Sequence, residues 1–142
     1  MYVNHVYKAL DARLKDVFWA HRLFNDIENN ITWVFGAFDK TTDKLLGVCL
    51  GNMEGEYFNC HVIFERKTDA IQGASLCEKK LQEYCAENHI ELKGVVGYPP
   101  INNRAALFFG QKMGYKKIGI AKKDFIDQTK QRTPCFLYRK DF

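Results

Sequence analysis

Few residues in this chain carry a proton near neutral pH, and His61 is the first of them. It lies in the segment Tyr57-Phe58-Asn59-Cys60-His61-Val62-Ile63-Phe64. Histidine titrates close to physiological pH, so an imidazole placed there can act as a general base. In an extended chain Tyr57, Asn59, His61 and Ile63 share one face, and Phe58, Cys60, Val62 and Phe64 share the other. The second set is wholly apolar and suits a core. The His61 face is then free to meet a substrate, with Asn59 beside it and Glu65 at the segment's end as a further candidate base. Cys60 and His61 do not form a nucleophile–base pair, because adjacent strand residues point to opposite faces. Tyr98 and Tyr115 are candidate proton donors. Tyr98 precedes Pro99-Pro100, whose fixed backbone angles would hold its loop. Each of these residues also has a plainer reading, His61 as a strand histidine and the two tyrosines as half-buried aromatics.

Metal chemistry has no sequence support. The four histidines are scattered without ligand spacing, and the five cysteines (Cys49, Cys60, Cys77, Cys85 and Cys135) contain no C-x-x-C pair. Their odd number and apolar settings predict reduced, mostly buried thiols. The 142 residues are 46% hydrophobic and 27% charged, a balance that predicts one folded domain over residues 1–142 and excludes a disordered chain. No apolar run reaches the roughly 20 residues of a membrane helix. The charged N-terminal stretch is unlike a signal peptide, which predicts a soluble, cytoplasmic protein with no membrane partner. From Lys112 onward nine Lys and Arg face three Asp, so this segment is basic although the net charge is only +4. That asymmetry fits an acidic or phosphorylated partner, or an ordinary solvated surface.

The elements that must position these residues follow from periodicity. Leu10 to Ile27 has helical apolar spacing. Ile31–Phe38, Leu45–Leu50 and Tyr57–Phe64 read as strands separated by polar turns, an antiparallel meander. Ala70 to Asn88 reads as a second helix, with Asp69 as its N-cap and Gln72 completing a capping box. Leu92–Val96 is a short strand broken by Gly97-Tyr98-Pro99-Pro100. Asn102 or Asn103 can cap a third helix, on which Ala106, Phe109 and Met113 share a face and which Gly114 ends. Strands near Lys116–Ala121 and Pro134–Tyr138 follow. The order is that of an α+β (mixed α/β) domain.

The segment from Asn103 to Tyr115 (NRAALFFGQKMGY) resembles the N-x-x-A-x-x-F-Y-x-K-L-G-F helix of the GNAT, or general N-acetyltransferase, superfamily. The element order resembles that fold over nearly the whole chain, except that the family's usual first strand has no clear counterpart. The resemblance implies a mixed, mostly antiparallel sheet with flanking helices, in which Tyr57–Phe64 and Leu92–Val96 form a splayed parallel pair. It implies acetyl-CoA or another acyl-CoA as cosubstrate, held in that gap, no metal, and a small-molecule or protein amine as acceptor. The family's phosphate loop, R/Q-x-x-G-x-G/A, falls on Thr68, Ile71 and Gly73. The cofactor-binding positions so implied are Arg66, Lys67, Thr68, Ile71, Gln72, Gly73 and Ala74, with Asn103 toward the pantetheine arm or the substrate. The candidate catalytic positions, drawn from the residue chemistry above, are His61 and Glu65 as bases and Tyr98 as proton donor.

Two departures stand out. Only Gly73 keeps the loop pattern, with Ile71 and Thr68 replacing its other marks and Asp69 adding a negative charge. Gly110 stands where family enzymes often carry the tyrosine that protonates the departing thiolate. The first functional reading is an acyl-CoA-dependent N-acyltransferase working by direct attack of an amine. The second is a GNAT-like domain that no longer catalyses and serves for binding or structure. Such a domain is similar to degenerate forms carried by tailed phages and would reside inside the virion. A nucleic-acid module rests only on the basic tail and its aromatics. The acceptor and the oligomeric state, including a homodimer, stay open.

Overall fold

Apolar alternation and two tight turns build the first half of the sheet. The computed structural model describes residues 1–6, 31–126 and 129–142, without the side chains of His5 and Val6. The helix expected over Leu10–Ile27 lies outside the described residues. Strands β1 (Tyr2–Val6), β2 (Trp33–Phe38), β3 (Leu45–Glu54) and β4 (Tyr57–Phe64) pair antiparallel in succession. The β1 segment supplies the first strand that sequence had left unplaced; five residues with weak alternation carry little signal of their own. β3 runs to Glu54, beyond the expected Leu50. The β3–β4 connection is therefore only Gly55-Glu56, and Gly55 takes the positive φ of 61° that a tight hairpin requires.

Helix α1 (Lys67–Glu87) follows β4 and crosses to β5 (Gly94–Gly97), which pairs with β4 in parallel. A parallel neighbour needs such a crossover. Helix α2 (Arg104–Lys112) leads to β6 (Lys116–Ile126) and β7 (Arg132–Asp141), and β7 inserts between β5 and β6. The sheet order is β1-β2-β3-β4-β5-β7-β6. Sequence had both of the last two strands shorter, because alternating lysines and threonines dilute their apolar pattern. Asn103 caps α2 by accepting from the Ala106 N–H at 3.1 Å. Gly114, with φ of 90°, ends it. The Gly114 and Tyr115 N–H groups close onto the Gln111 and Gly110 carbonyls, which is a Schellman ending.

The core lies between the sheet and α1. Phe58 and, around it, Cys60, Val62 and Phe64 face it, as the strand alternation required. Trp33, Phe35, Phe58 and Tyr84 meet as an aromatic cluster with ring centroids 5.0 to 6.4 Å apart. All five cysteines are free, and four are buried. Within this layer the Phe64 ring occupies a slot between two glycines. A Cβ on either Gly47 or Gly73 would collide with it.

Two expectations about the start of α1 give way. The helix begins at Lys67, three residues early, and Arg66 is its N-cap with no side-chain cap bond. Asp69 is not the cap. Its carboxylate sits inside the first turn and takes the Arg66 Nε at 3.0 Å. Gln72 therefore completes no capping box.

Because Gly73 makes room for Phe64, Gly73→Ala is expected to destabilise the protein by about 1–3 kcal/mol through overpacking. Gly119→Ala, where a Cβ meets nothing within 4 Å, should change stability by no more than about 0.5 kcal/mol. Urea unfolding of the two variants makes the comparison.

Candidate active site

The parallel pairing of β4 with β5 stops after Tyr57–Gly94, Phe58–Val95 and Asn59–Val96. β4 continues to Phe64 along β3, while β5 ends at Gly97 and turns into Pro99-Pro100. From Cys60 onward the edge of β4 that faces away from β3 has no strand partner among the described residues. The strands have splayed, and the gap opens into a cleft of about 750 Å³. His61, Ile63, Phe64, Lys67 and Ala70 line one side, Gly97 to Pro100 the other, with Ala106, Phe109, Gly110, Tyr115 and Tyr138 behind and Phe125 over the mouth.

His61 stands on the cleft wall. Desolvation lowers its pKa below the ordinary histidine value; the Lys123 ammonium lowers it further and the Glu54 carboxylate opposes this. The imidazole is therefore neutral at pH 7 and able to accept a proton.

Tyr98, on the cleft wall, bonds Glu54, the last residue of β3. Its hydroxyl donates to Glu54 Oε2 at 2.6 Å. Burial and this bond push the Tyr98 pKa up to about 12. Glu54 also accepts from Asn59 Nδ2 at 3.0 Å and from Lys123 Nζ at 2.7 Å, both at Oε1. Burial raises the Glu54 pKa, but the bonds from Lys123, Tyr98 and Asn59 outweigh it and hold the carboxyl below its usual range. The Lys123 ammonium lies 4.3 Å from the centroid of the Tyr98 ring. Sequence reading missed Glu54 and Lys123. Glu54 had been placed in a turn, and nothing local connects position 123 with a residue 69 positions earlier.

The other sequence candidates divide. Glu65 points away from the cleft toward Lys44, 3.5 Å distant. Arg66 is occupied by Asp69. Lys67 lines the cleft. Thr68, Ile71 and Gln72 are exposed on the first two turns of α1, whereas Gly73 and Ala74 are buried in its packed face. The stretch read as a phosphate loop is thus mostly helix. The Asp69 N–H already bonds the Arg66 carbonyl, and later N–H groups bond within the helix, leaving those of Lys67 and Thr68, at its uncapped end, without a backbone partner among the described residues. Asn103 spends its side-chain oxygen on the cap of α2. Tyr115 is half-buried against the core, and desolvation raises its pKa. Behind Gly110, Tyr138 packs so closely that a Cβ at position 110 would lie 2.8 Å from its ring. Tyr138 therefore fills space that a tyrosine at position 110 would need.

Among the described residues no group of three or more His, Cys, Asp or Glu is placed to hold a metal ion. No helix among them is long and apolar enough to cross a membrane.

A seven-stranded mixed sheet with one splayed parallel pair is the GNAT fold. Solved acetyltransferases share it. A spermidine N-acetyltransferase chimera from Vibrio cholerae and hSSAT aligns over 97% of this chain and 95% of its own, with a TM-score of 0.69 and 13% identity. The microcin self-immunity acetyltransferase MccE, solved with acetyl-CoA and AMP, aligns over 99% of this chain and 93% of its own, with a TM-score of 0.69 and 15% identity. NAA60 from Arabidopsis thaliana, solved with a bisubstrate analogue, aligns over 99% of both chains at a TM-score of 0.63 and 11% identity. No protein-family model matches the sequence. No curated protein matches it either.

The Glu54 bonds yield a titration test. Tyr98→Phe removes one donor, so the Glu54 carboxyl should titrate at higher pH in carbon-detected NMR. A carboxyl held low in the fold contributes stability above its unfolded pKa and loses it as pH falls. The stability lost in Tyr98→Phe should accordingly be largest near neutrality and shrink toward acid pH.

Proposed function

We propose that this chain is an acyl-CoA-dependent N-acyltransferase, with acetyl-CoA as the first donor to test. The observation that carries the reading is the splay of β4 from β5, which leaves the β4 edge from Cys60 to Phe64 without a strand partner among the described residues. Unpaired backbone N–H groups there can hold an acyl thioester and its pantetheine arm and polarise the thioester carbonyl. The uncapped start of α1, with Lys67 on the cleft wall, suits the donor's diphosphate, since orphan N–H groups and the positive dipole end favour an anion. Arg66, Thr68, Ile71, Gln72, Gly73, Ala74 and Asn103 remain the donor-side positions that the resemblance names. Of these, Gly73, Ala74 and Asn103 act here through the packing and capping that set α1 and α2.

In the reaction an amine nitrogen attacks the thioester carbon, the new C–N bond forms, and the C–S bond breaks. The released nitrogen proton goes to a base, and the electron pair leaves on the CoA sulfur. His61, neutral and facing the cleft, is the base of choice, directly or through water. Glu65 faces Lys44 and is the weaker candidate. Tyr98 is poorly matched as the acid for the sulfur. A hydroxyl with a pKa of about 12 does not readily release its proton to a thiolate whose own pKa is near 8.5. We assign it instead to positioning Glu54, and the thiolate leaves to solvent.

A second reading, a domain that binds but does not catalyse, draws on Gly110 and the Tyr138 ring behind it, which leave no hydroxyl at the family's tyrosine position. One experiment separates the two. Calorimetry with acetyl-CoA should show saturable binding, and turnover with a panel of primary amines should follow. Binding without turnover favours the second reading, and absence of binding overturns the acyltransferase reading and leaves a domain kept for structure or for another partner. With turnover in hand, kcat/KM should fall as pH drops through a pKa below that of free histidine, since protonated His61 accepts nothing. His61→Ala should lose about 10²–10⁴-fold in rate and that acid limb with it.

A further inference from the structure

Lys123 holds its ammonium against both a carboxylate and an aromatic face. The β6–β7 ladder pairs Ile120 with Phe136 and then Asp124 with Pro134, so residues 121–123 form a bulge opposite a single partner residue. Bulges re-aim side chains. Here the bulge lies where Lys123, on the far edge strand, reaches Glu54 on β3. Its ammonium meets a carboxylate oxygen at 2.7 Å and the Tyr98 ring face at 4.3 Å. Asn59 completes the surroundings. Its Nδ2 donates to Glu54, and its residue is about nine-tenths buried, yet its Oδ1 has no hydrogen-bond partner. It is the one such buried side-chain atom among the described residues. A buried amide oxygen without a donor is costly, and an ammonium with three N–H groups can supply one.

We propose that Glu54, the Tyr98 ring and Asn59 form a cage for a primary alkylammonium, and that Lys123 occupies it as a built-in competitor until an acceptor of the lysine or alkylamine class displaces it. The idea rests on the acyltransferase reading and deepens it by naming the acceptor class. Asn59 and His61 lie two residues apart on the same face of β4, about 6.6 Å along the strand. An amine held at the cage is thus one side-chain length from the base that would deprotonate it. The cage takes a single ammonium on an unbranched stem. The aromatic face and the carboxylate reward charge, whereas a bulky quaternary head could not approach Glu54 as closely as 2.7 Å.

The test uses n-butylammonium as the probe, titrated into the intact chain and followed by NMR at the Tyr98 ring and the His61 imidazole. Lys123→Met keeps the apolar stem and removes the competitor, so it should tighten the probe by about tenfold. The Lys123 side chain is half exposed, and Lys123→Gln serves as a second variant with the same expectation. Glu54→Gln combined with Lys123→Met should lose that gain and bind at least as weakly as the parent. Tetramethylammonium, which has no N–H to donate to Glu54, should gain less from Lys123→Met than n-butylammonium does, and an equal gain overturns the cage. Equal probe affinity in parent, Lys123→Met and Lys123→Gln overturns the proposal, as does full binding after Glu54→Gln in the Lys123→Met background. Acetyl-CoA calorimetry on the parent is read separately. Donor binding with no amine response removes the cage alone, whereas absent donor binding with a clear amine response removes the acyltransferase reading and leaves a cation site.

Discussion

The far end of β4 is held by Phe64, and the cleft depends on that hold. Its ring lies in a slot made by the missing side chains of Gly47 on β3 and Gly73 on α1. A ring wedged between two backbones fixes β4 to β3 and to the helix that follows. β5 is drawn the other way, because its second edge pairs with β7 from Gly94 to Gly97. Two strands held by different neighbours can share only three residue pairs before they part. The opening between them is the consequence of packing on either side rather than of any residue inside it.

On the wall of that opening and beside it, His61 and Glu54 are shifted in the same direction for different reasons. Glu54 is held ionised by three donors that together outweigh the effect of its burial. His61, exposed on the cleft wall, is shifted below its ordinary value, with desolvation the largest cause. A fixed negative charge and an unprotonated base thereby coexist at neutral pH without sharing a proton. This is the arrangement that a reaction consuming a cationic amine requires, since one group must attract the ammonium and another must receive its proton. A buried carboxylate and lysine elsewhere illustrate the opposite balance. Lys140 reaches Glu78 at 2.8 Å, yet desolvation still raises the Glu78 pKa, because a single partner does not offset its burial.

Local periodicity carried much of the fold. The three-stranded meander, the long crossover helix and the glycine-ended helix from Asn103 all follow from apolar spacing and turn chemistry within short windows, whereas the parallel placement of the strand after the crossover came from the family resemblance. What periodicity misplaced were boundaries set by remote partners. β3 extends through Gly51 because that glycine lets the Asn59 carbonyl approach, where a Cβ would collide with it. α1 starts at Lys67 although no side chain caps it. β6 runs to Ile126 because β7 pairs along its length, not because its own residues favour a strand.

The candidate site divides along the same line. Sequence by itself determined that His61 faces away from the apolar core, because side-chain direction in a strand alternates whatever the strand pairs with. It also determined that position 110 has no hydroxyl, which no folding can supply. Only the tertiary structure decided that Glu65 turns to Lys44, that Arg66 is taken by Asp69, and that Gly73 serves Phe64. It alone brought Glu54, Tyr98 and Lys123 together from three separate strands or their ends. Alternation and composition act over a few residues and can be read along the chain. Ion pairs and ring contacts depend on which distant segments the sheet brings within a few ångströms, and that is settled only when the whole sheet has closed.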